Sequence, residues 1–203
     1  MKTSYHYGEL KAQLLKYACA RLESGELAEL SMREMAKAVG VSHTAAYRHF
    51  QDKHALLDAV ALQGFEELLR AGHAIAVKPE PPLDRLRELG LAYVRFGLSR
   101  PQGLAHMFAY AAHSQASEAL KAAGGQLFGL LEGVIAEGQQ LGVFRHVPLE
   151  PLAHACWAMV HGLATLLGQR LLQLPNPSEA EWMTYAEKTL DIFLDGIAAS
   201  PAV

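Results

Sequence analysis

A chain of 203 residues, 51% hydrophobic and 19% charged, is long enough to bury a real core and too apolar to remain disordered. The net charge of −3 excludes a uniformly basic body, but the charge is uneven: residues 1–60 carry eight Lys/Arg against seven Asp/Glu, and residues 61–203 carry ten against fourteen. The start MKTSYHYGELK has no apolar h-region, so no secretory signal is expected. Cys19 and Cys156 both sit in apolar, helix-like stretches and read as reduced, buried thiols. A cytoplasmic location is expected. Leu152–Gly168 lacks Asp, Glu, Lys and Arg but holds His154 and His161; it is shorter than the ~20 residues a span needs, so it reads as a helix buried in protein rather than in a membrane.

In chain order, Leu10, Leu14, Ala18 and Leu22 recur every four residues and place one apolar stripe on a first helix, which Ser24-Gly25 ends. Ser31 with Glu34 forms a capping box for a short second helix that stops at Gly40. Ser42 caps another short helix, His43 to Phe50, and Asp52 caps a long one running to about Ala76. Lys78-Pro79-Glu80-Pro81-Pro82 breaks the chain. Helices follow over Leu83–Arg100, Pro101 to about Ala112, and Ser117–Leu141. Gly142 closes the last of these, and Pro148 opens another to about Leu174. Pro175-Asn176-Pro177 breaks again, and Ser178 with Glu181 caps a final helix ending near Ala199. The fold class is all-α, with about nine helices and no strand pattern. A domain over 1–54 continues into a linking helix, 52–76, and a second domain covers 77–203.

Two short helices joined by a Gly-containing turn form the helix-turn-helix pattern, here Ser31–Val39, Gly40-Val41, Ser42–Phe50. Met35, Val39, Val41, Ala46 and Phe50 supply its core. The second helix opens with short hydrogen-bonding side chains, Ser42, His43 and Thr44, where a helix N-terminus suits phosphate. Tyr47, Arg48, His49 and Lys53 follow at spacings that can face a nucleic-acid backbone. An ordinary helical hairpin with a plain surface is the alternative.

Leu30–Ser42, then Ala46-Tyr47-Arg48-His49-Phe50, then Lys53-His54-Ala55-Leu56-Leu57, resembles the signature of TetR-type repressors over about residues 9–70. The resemblance implies a DNA-binding domain. Ser31 and Arg33 would meet phosphate, His43, Thr44 and Arg48 would read bases, and Ser42, Tyr47, His49 and Lys53 would clamp phosphates. The recognition helix departs from richer ones in holding a single Arg and no Lys, Asn or Gln, so shape or water would carry part of the specificity.

Residues 83–199 resemble the family's effector and dimerisation domain. The resemblance rests on Leu86–Phe96, on His106-Met107-Phe108 after Arg100-Pro101, and on Trp157-Ala158-Met159-Val160-His161-Gly162, close to a subgroup's Trp-x-x-x-His-Gly run. It implies a homodimer through helices 148–174 and 178–199, and a small-molecule cavity among the middle helices. Polar groups inside apolar helices are the cavity candidates: Tyr93, Arg95, His106, Tyr110, His113, His154 and His161, with Met107, Phe108 and Trp157 as walls. A structural role for each histidine is the competing reading. Gly125, Gly129 and Gly133 share one face of their helix and read as close packing, or else as room for a ligand.

The pairs His106/His113 and His154/His161 are each about two turns apart, roughly 10 Å, while Zn–N bonds are about 2.1 Å, so neither pair makes a metal site. No metal or cofactor is expected. Nucleophilic-triad, paired-carboxylate, P-loop and dinucleotide signatures are absent, so no enzyme is expected. The resemblance implies a sequence-specific transcriptional regulator, a repressor released from a pseudo-palindromic double-stranded operator by a small molecule. The alternative is a DNA-organising dimer without an effector.

Overall fold

The structure, a computed structural model, describes residues 7–27, 30–172 and 178–199. Nine helices occur among them: α1 (Tyr7–Glu23), α2 (Met32–Val39), α3 (His43–Tyr47), α4 (Lys53–Ala76), α5 (Pro82–Ser99), α6 (Pro101–Ala111), α7 (Glu118–Gln140), α8 (Leu149–Gly168) and α9 (Glu179–Ile197). The chain divides into two compact units, one of residues 1–64 and 102–121, the other of 65–101 and 122–203.

In the first unit α1 packs on α2 and α2 on α3. The expected stripe of Leu10, Leu14, Ala18 and Leu22 is buried against Met35, Ala36, Ala46, Phe50 and Leu56. Asp58 is buried, and Ser117 satisfies it twice, through its amide (2.9 Å) and its hydroxyl (2.6 Å). The Ser117 oxygen in turn accepts from the Leu120 amide and caps α7. Met107 is buried beside Gly64, where any Cβ would collide with its sulfur.

In the second unit α5 packs on α8 and α9. Leu86, Val134, Ile135, Phe144, Leu152, Cys156 and Leu194 form its core. Arg85 is the buried cation among the described residues; it donates to the Ala76 carbonyl (2.8 Å) and to Glu137 (2.5 Å). Buried Gln139 holds the turn after α7 by donating to the carbonyls of Arg145 and Val147. That turn meets the end of α9 in an isolated bridge, Phe144 to Ala198, and Arg145 also bonds the Gly196 carbonyl. Cys156 is buried, and burial pushes its thiol up to about 12, so it is inert as a nucleophile at neutral pH.

Three expectations change. The helix expected to reach Leu174 ends at Gly168, because Arg170 adopts a left-handed conformation (φ 57°). Its amide bonds Leu167, the next amide reaches back to Leu166, and the closing motif is complete without the usual glycine. The Pro175-Asn176-Pro177 breaker lies outside the described residues. The recognition helix ends at Tyr47 rather than Phe50, with Arg48 as its C-cap. Finally, Gly125, Gly129 and Gly133 do not pack closely: a Cβ at any of them would meet nothing within 4 Å.

Candidate nucleic-acid interface and ring clusters

The α2–α3 unit follows from its caps. The Ser31 hydroxyl accepts from the Glu34 amide (3.1 Å), while the Ser31 amide donates to the Glu34 carboxylate (3.1 Å). The Ser31 hydroxyl also donates to that carboxylate (2.8 Å), and this bond, with the one from the Ser31 amide, holds the Glu34 carboxyl below its usual range. Gly40 takes φ 77°, a conformation open to glycine, and turns the chain so that its amide returns to α2. Ser42 caps α3 by accepting from the Ala45 amide (3.2 Å). Ala46 is fully buried, and that fixes which way α3 faces.

With Ala46 inward, Ser42, His43, Thr44, Tyr47 and Arg48 are all exposed. Tyr47 is 41% exposed, unusual for so large a ring, and His43 packs edge-on against it at 4.5 Å. Ser31 and Arg33 are exposed at the start of α2, while His49 and Lys53 are half-buried. Burial, with Lys11 nearby, lowers the His49 imidazole, so it is mainly neutral in the protein alone. Asp52 starts α4 by accepting from the Ala55 amide (2.7 Å).

The residues expected to line a cavity fall into two groups. His106, Met107, Tyr110 and His113 belong to the first unit. His106 is buried and its Nε2 donates to the Leu57 carbonyl (2.9 Å). Its ring lies 4.5 Å from that of Tyr110. His54, a residue not expected there, joins them at 5.3 Å from Tyr110 and 5.2 Å from His113. The His54 Nε2 atom is buried without a hydrogen-bond partner. His113 is exposed.

Tyr93, Arg95, Trp157 and His161 belong to the second unit. The Tyr93 hydroxyl is buried and lies 2.8 Å from His161 Nδ1; Trp157 also bonds it. An indole N–H can only donate, so the Tyr93 oxygen accepts from Trp157, and its own proton is available to His161 Nδ1. Burial pushes Tyr93 up and His161 down. Arg95 is exposed, two residues on and so on the far side of α5 from Tyr93. Phe128, which sequence reasoning missed, stacks on His154 (5.0 Å) and meets Trp157 edge-on (6.1 Å). Its one signal was a lone aromatic between Gly125 and Gly129.

A capped helix, a left-handed glycine turn and a second short helix bearing exposed polar side chains define a helix-turn-helix DNA-binding regulator. Residues 14–60 match the family described as bacterial regulatory proteins of the tetR family, and residues 86–188 match the tetracyclin repressor-like C-terminal domain. The chain belongs to the TetR family of transcriptional regulators. It is similar to a Rhodococcus sp. RHA1 protein described as of unknown function, at 32% identity over 97% of this chain and 100% of that one, TM-score 0.83. It shares its fold with the TetR family regulator PfmR of Thermus thermophilus (20% identity, 90% and 97% covered, TM-score 0.71). It also shares it with the ketosteroid transcriptional regulator KstR2 of Mycobacterium tuberculosis (18% identity, 94% and 96% covered, TM-score 0.70). No curated protein sequence matches it. No described helix is long and apolar enough to cross a membrane.

Proposed function

We propose that the protein is a homodimeric repressor that binds a pseudo-palindromic operator and is released from it by a small molecule. The observation that carries the reading is the exposed row Ser42, His43, Thr44, Tyr47 on α3, fixed outward by the burial of Ala46. In that role His43, Thr44 and Arg48 read base edges. Ser31, Arg33, Ser42, Tyr47, His49 and Lys53 set register on the phosphates.

Dimerisation falls to α8 and α9. In the single chain, α8 leaves Ala155, Ala158 and Leu166 exposed, and α9 leaves Tyr185 and Ile192 exposed, the last at 76%. Apolar surface of that kind is stabilised by burial against a second copy. The effector binds among the middle helices of the second unit, at Tyr93, Trp157 and His161, while His106, Met107, Tyr110 and His113 form a separate candidate group within the first. It acts through its different affinity for the DNA-competent and mis-spaced dimers.

The test is binding to the gene's own upstream DNA against random DNA across a salt series. Tight, saturable binding at dimer stoichiometry to one palindromic site supports the reading. Weak binding, equal on both and lost with salt, favours a DNA-organising dimer instead.

A further inference from the structure

The rings of the second unit narrow the chemistry of the effector. Phe128, His154, Trp157 and His161 form a continuous shelf: Phe128 on His154 at 26° between planes, Phe128 against Trp157 at 68°, and Trp157 against His161 at 6.1 Å. Phe128, Trp157 and His161 are half-buried and His154 is exposed, so the shelf is not sealed in the core. Beside Phe128 on α7, Gly125 and Gly129 present no side chain, and a Cβ on either would meet nothing within 4 Å. The polar end of the shelf is the junction of Tyr93, His161 and Trp157.

Neither Arg85 nor Arg95 of α5 serves that junction. Arg85, the buried cation among the described residues, is engaged by Ala76 and Glu137. It stands eight residues before Tyr93, roughly 12 Å along α5. Arg95 is exposed on the other side of the helix. Burial keeps Tyr93 protonated and favours neutral His161. A carboxylate entering here would lose hydration without gaining a counter-charge from either arginine. An uncharged ring gains stacked and edge-to-face contacts instead, and one polar atom can join the Tyr93 network.

We propose that this shelf takes an uncharged, planar aromatic molecule bearing a single hydroxyl or carbonyl group, of the phenol, naphthol or quinone class. The assignment rests on reading the domain as the effector site.

The full-length protein is titrated calorimetrically at pH 7.5 with 2-naphthol, 2-naphthoate and decahydro-2-naphthol, and operator affinity is measured with each. The expected result is that 2-naphthol binds, with the acid and the saturated alcohol each roughly tenfold weaker or worse. Trp157→Leu and, as a milder second variant, Phe128→Leu both weaken 2-naphthol, and each is checked for an unchanged melting profile. Naphthoate binding as tightly as naphthol overturns the uncharged class, and the saturated alcohol doing so overturns the aromatic class. Naphthol binding that neither variant weakens, or no naphthol binding at all, overturns the shelf as its site. The two readings fail separately. Naphthol that binds at Trp157 without changing operator affinity sinks the effector role and leaves the ligand class standing. Operator release by the acid or the alcohol, dependent on Trp157, does the reverse.

Discussion

Nε2 of His106 lies 2.9 Å from the carbonyl oxygen of Leu57, tying α6 to α4 inside the first unit. The ring is 9% exposed, and burial lowers its pKa although the carbonyl bond pulls the other way. His49 and His161 are lowered too. A histidine lowered in the fold is neutral there while the unfolded chain, near the ordinary 6.5, begins to protonate. Stability is therefore full above about pH 6.5 and falls as pH drops from there toward the folded pKa. Thermal melts between pH 7.5 and 5.5 are expected to show that loss, and His106→Gln to flatten it. An unchanged slope in the variant would assign the loss to other groups.

Glycines of one helix are expected to respond with opposite signs. At Gly138 a Cβ would strike the ring of Phe144, which is 1% exposed, so Gly138→Ala should destabilise by about 1–3 kcal/mol. At Gly129 nothing stands within 4 Å, so Gly129→Ala should stabilise by about 0.5–1 kcal/mol through helix propensity alone. Urea unfolding of both variants measures the pair, and equal signs would contradict the packing described for α7.

Asp52 accepts from the Ala55 amide at the first turn of α4. Asp52→Ala should cost about 1 kcal/mol of stability. It should leave operator preference unchanged, because no base-reading role is assigned to it. Denaturation and a competition assay on two operator variants separate the effects.

On DNA, Tyr47→Phe removes one hydroxyl from an exposed ring and should weaken operator and random DNA alike. Thr44→Ala removes a group placed to meet a base edge and should alter which base is preferred at one operator position, by about 1–3 kcal/mol. Equal losses on both DNAs from Thr44→Ala would move that residue to the backbone contacts.

What the sequence made legible was short-range chemistry. The boxes Ser31/Glu34 and Ser178/Glu181 act across three residues, so both ends of their logic are visible in a string of letters. The apolar stripe of α1 and the αL turn at Gly40 were readable for the same reason. The end of α8 was not, since Arg170 fills a left-handed position normally announced by glycine. Nor was the outward facing of Gly125, Gly129 and Gly133. Their spacing says they share a face, but the burial of Val134 and Ile135 decides which face turns inward. His54 and Phe128 were missed because each ring meets its neighbours only through tertiary packing.

Gly168 of α8 approaches α5 so closely that a Cβ would sit 2.5 Å from the carbonyl oxygen of Gly97. Main chain rests on main chain there, with no rotamer between them to take up slack. The crossing is thus a built-in ruler. Spin labels at the exposed positions Ser99 and Gln169 should keep one sharp distance within each chain with or without ligand, and that pair is the fixed reference against which any displacement elsewhere in the second unit can be measured.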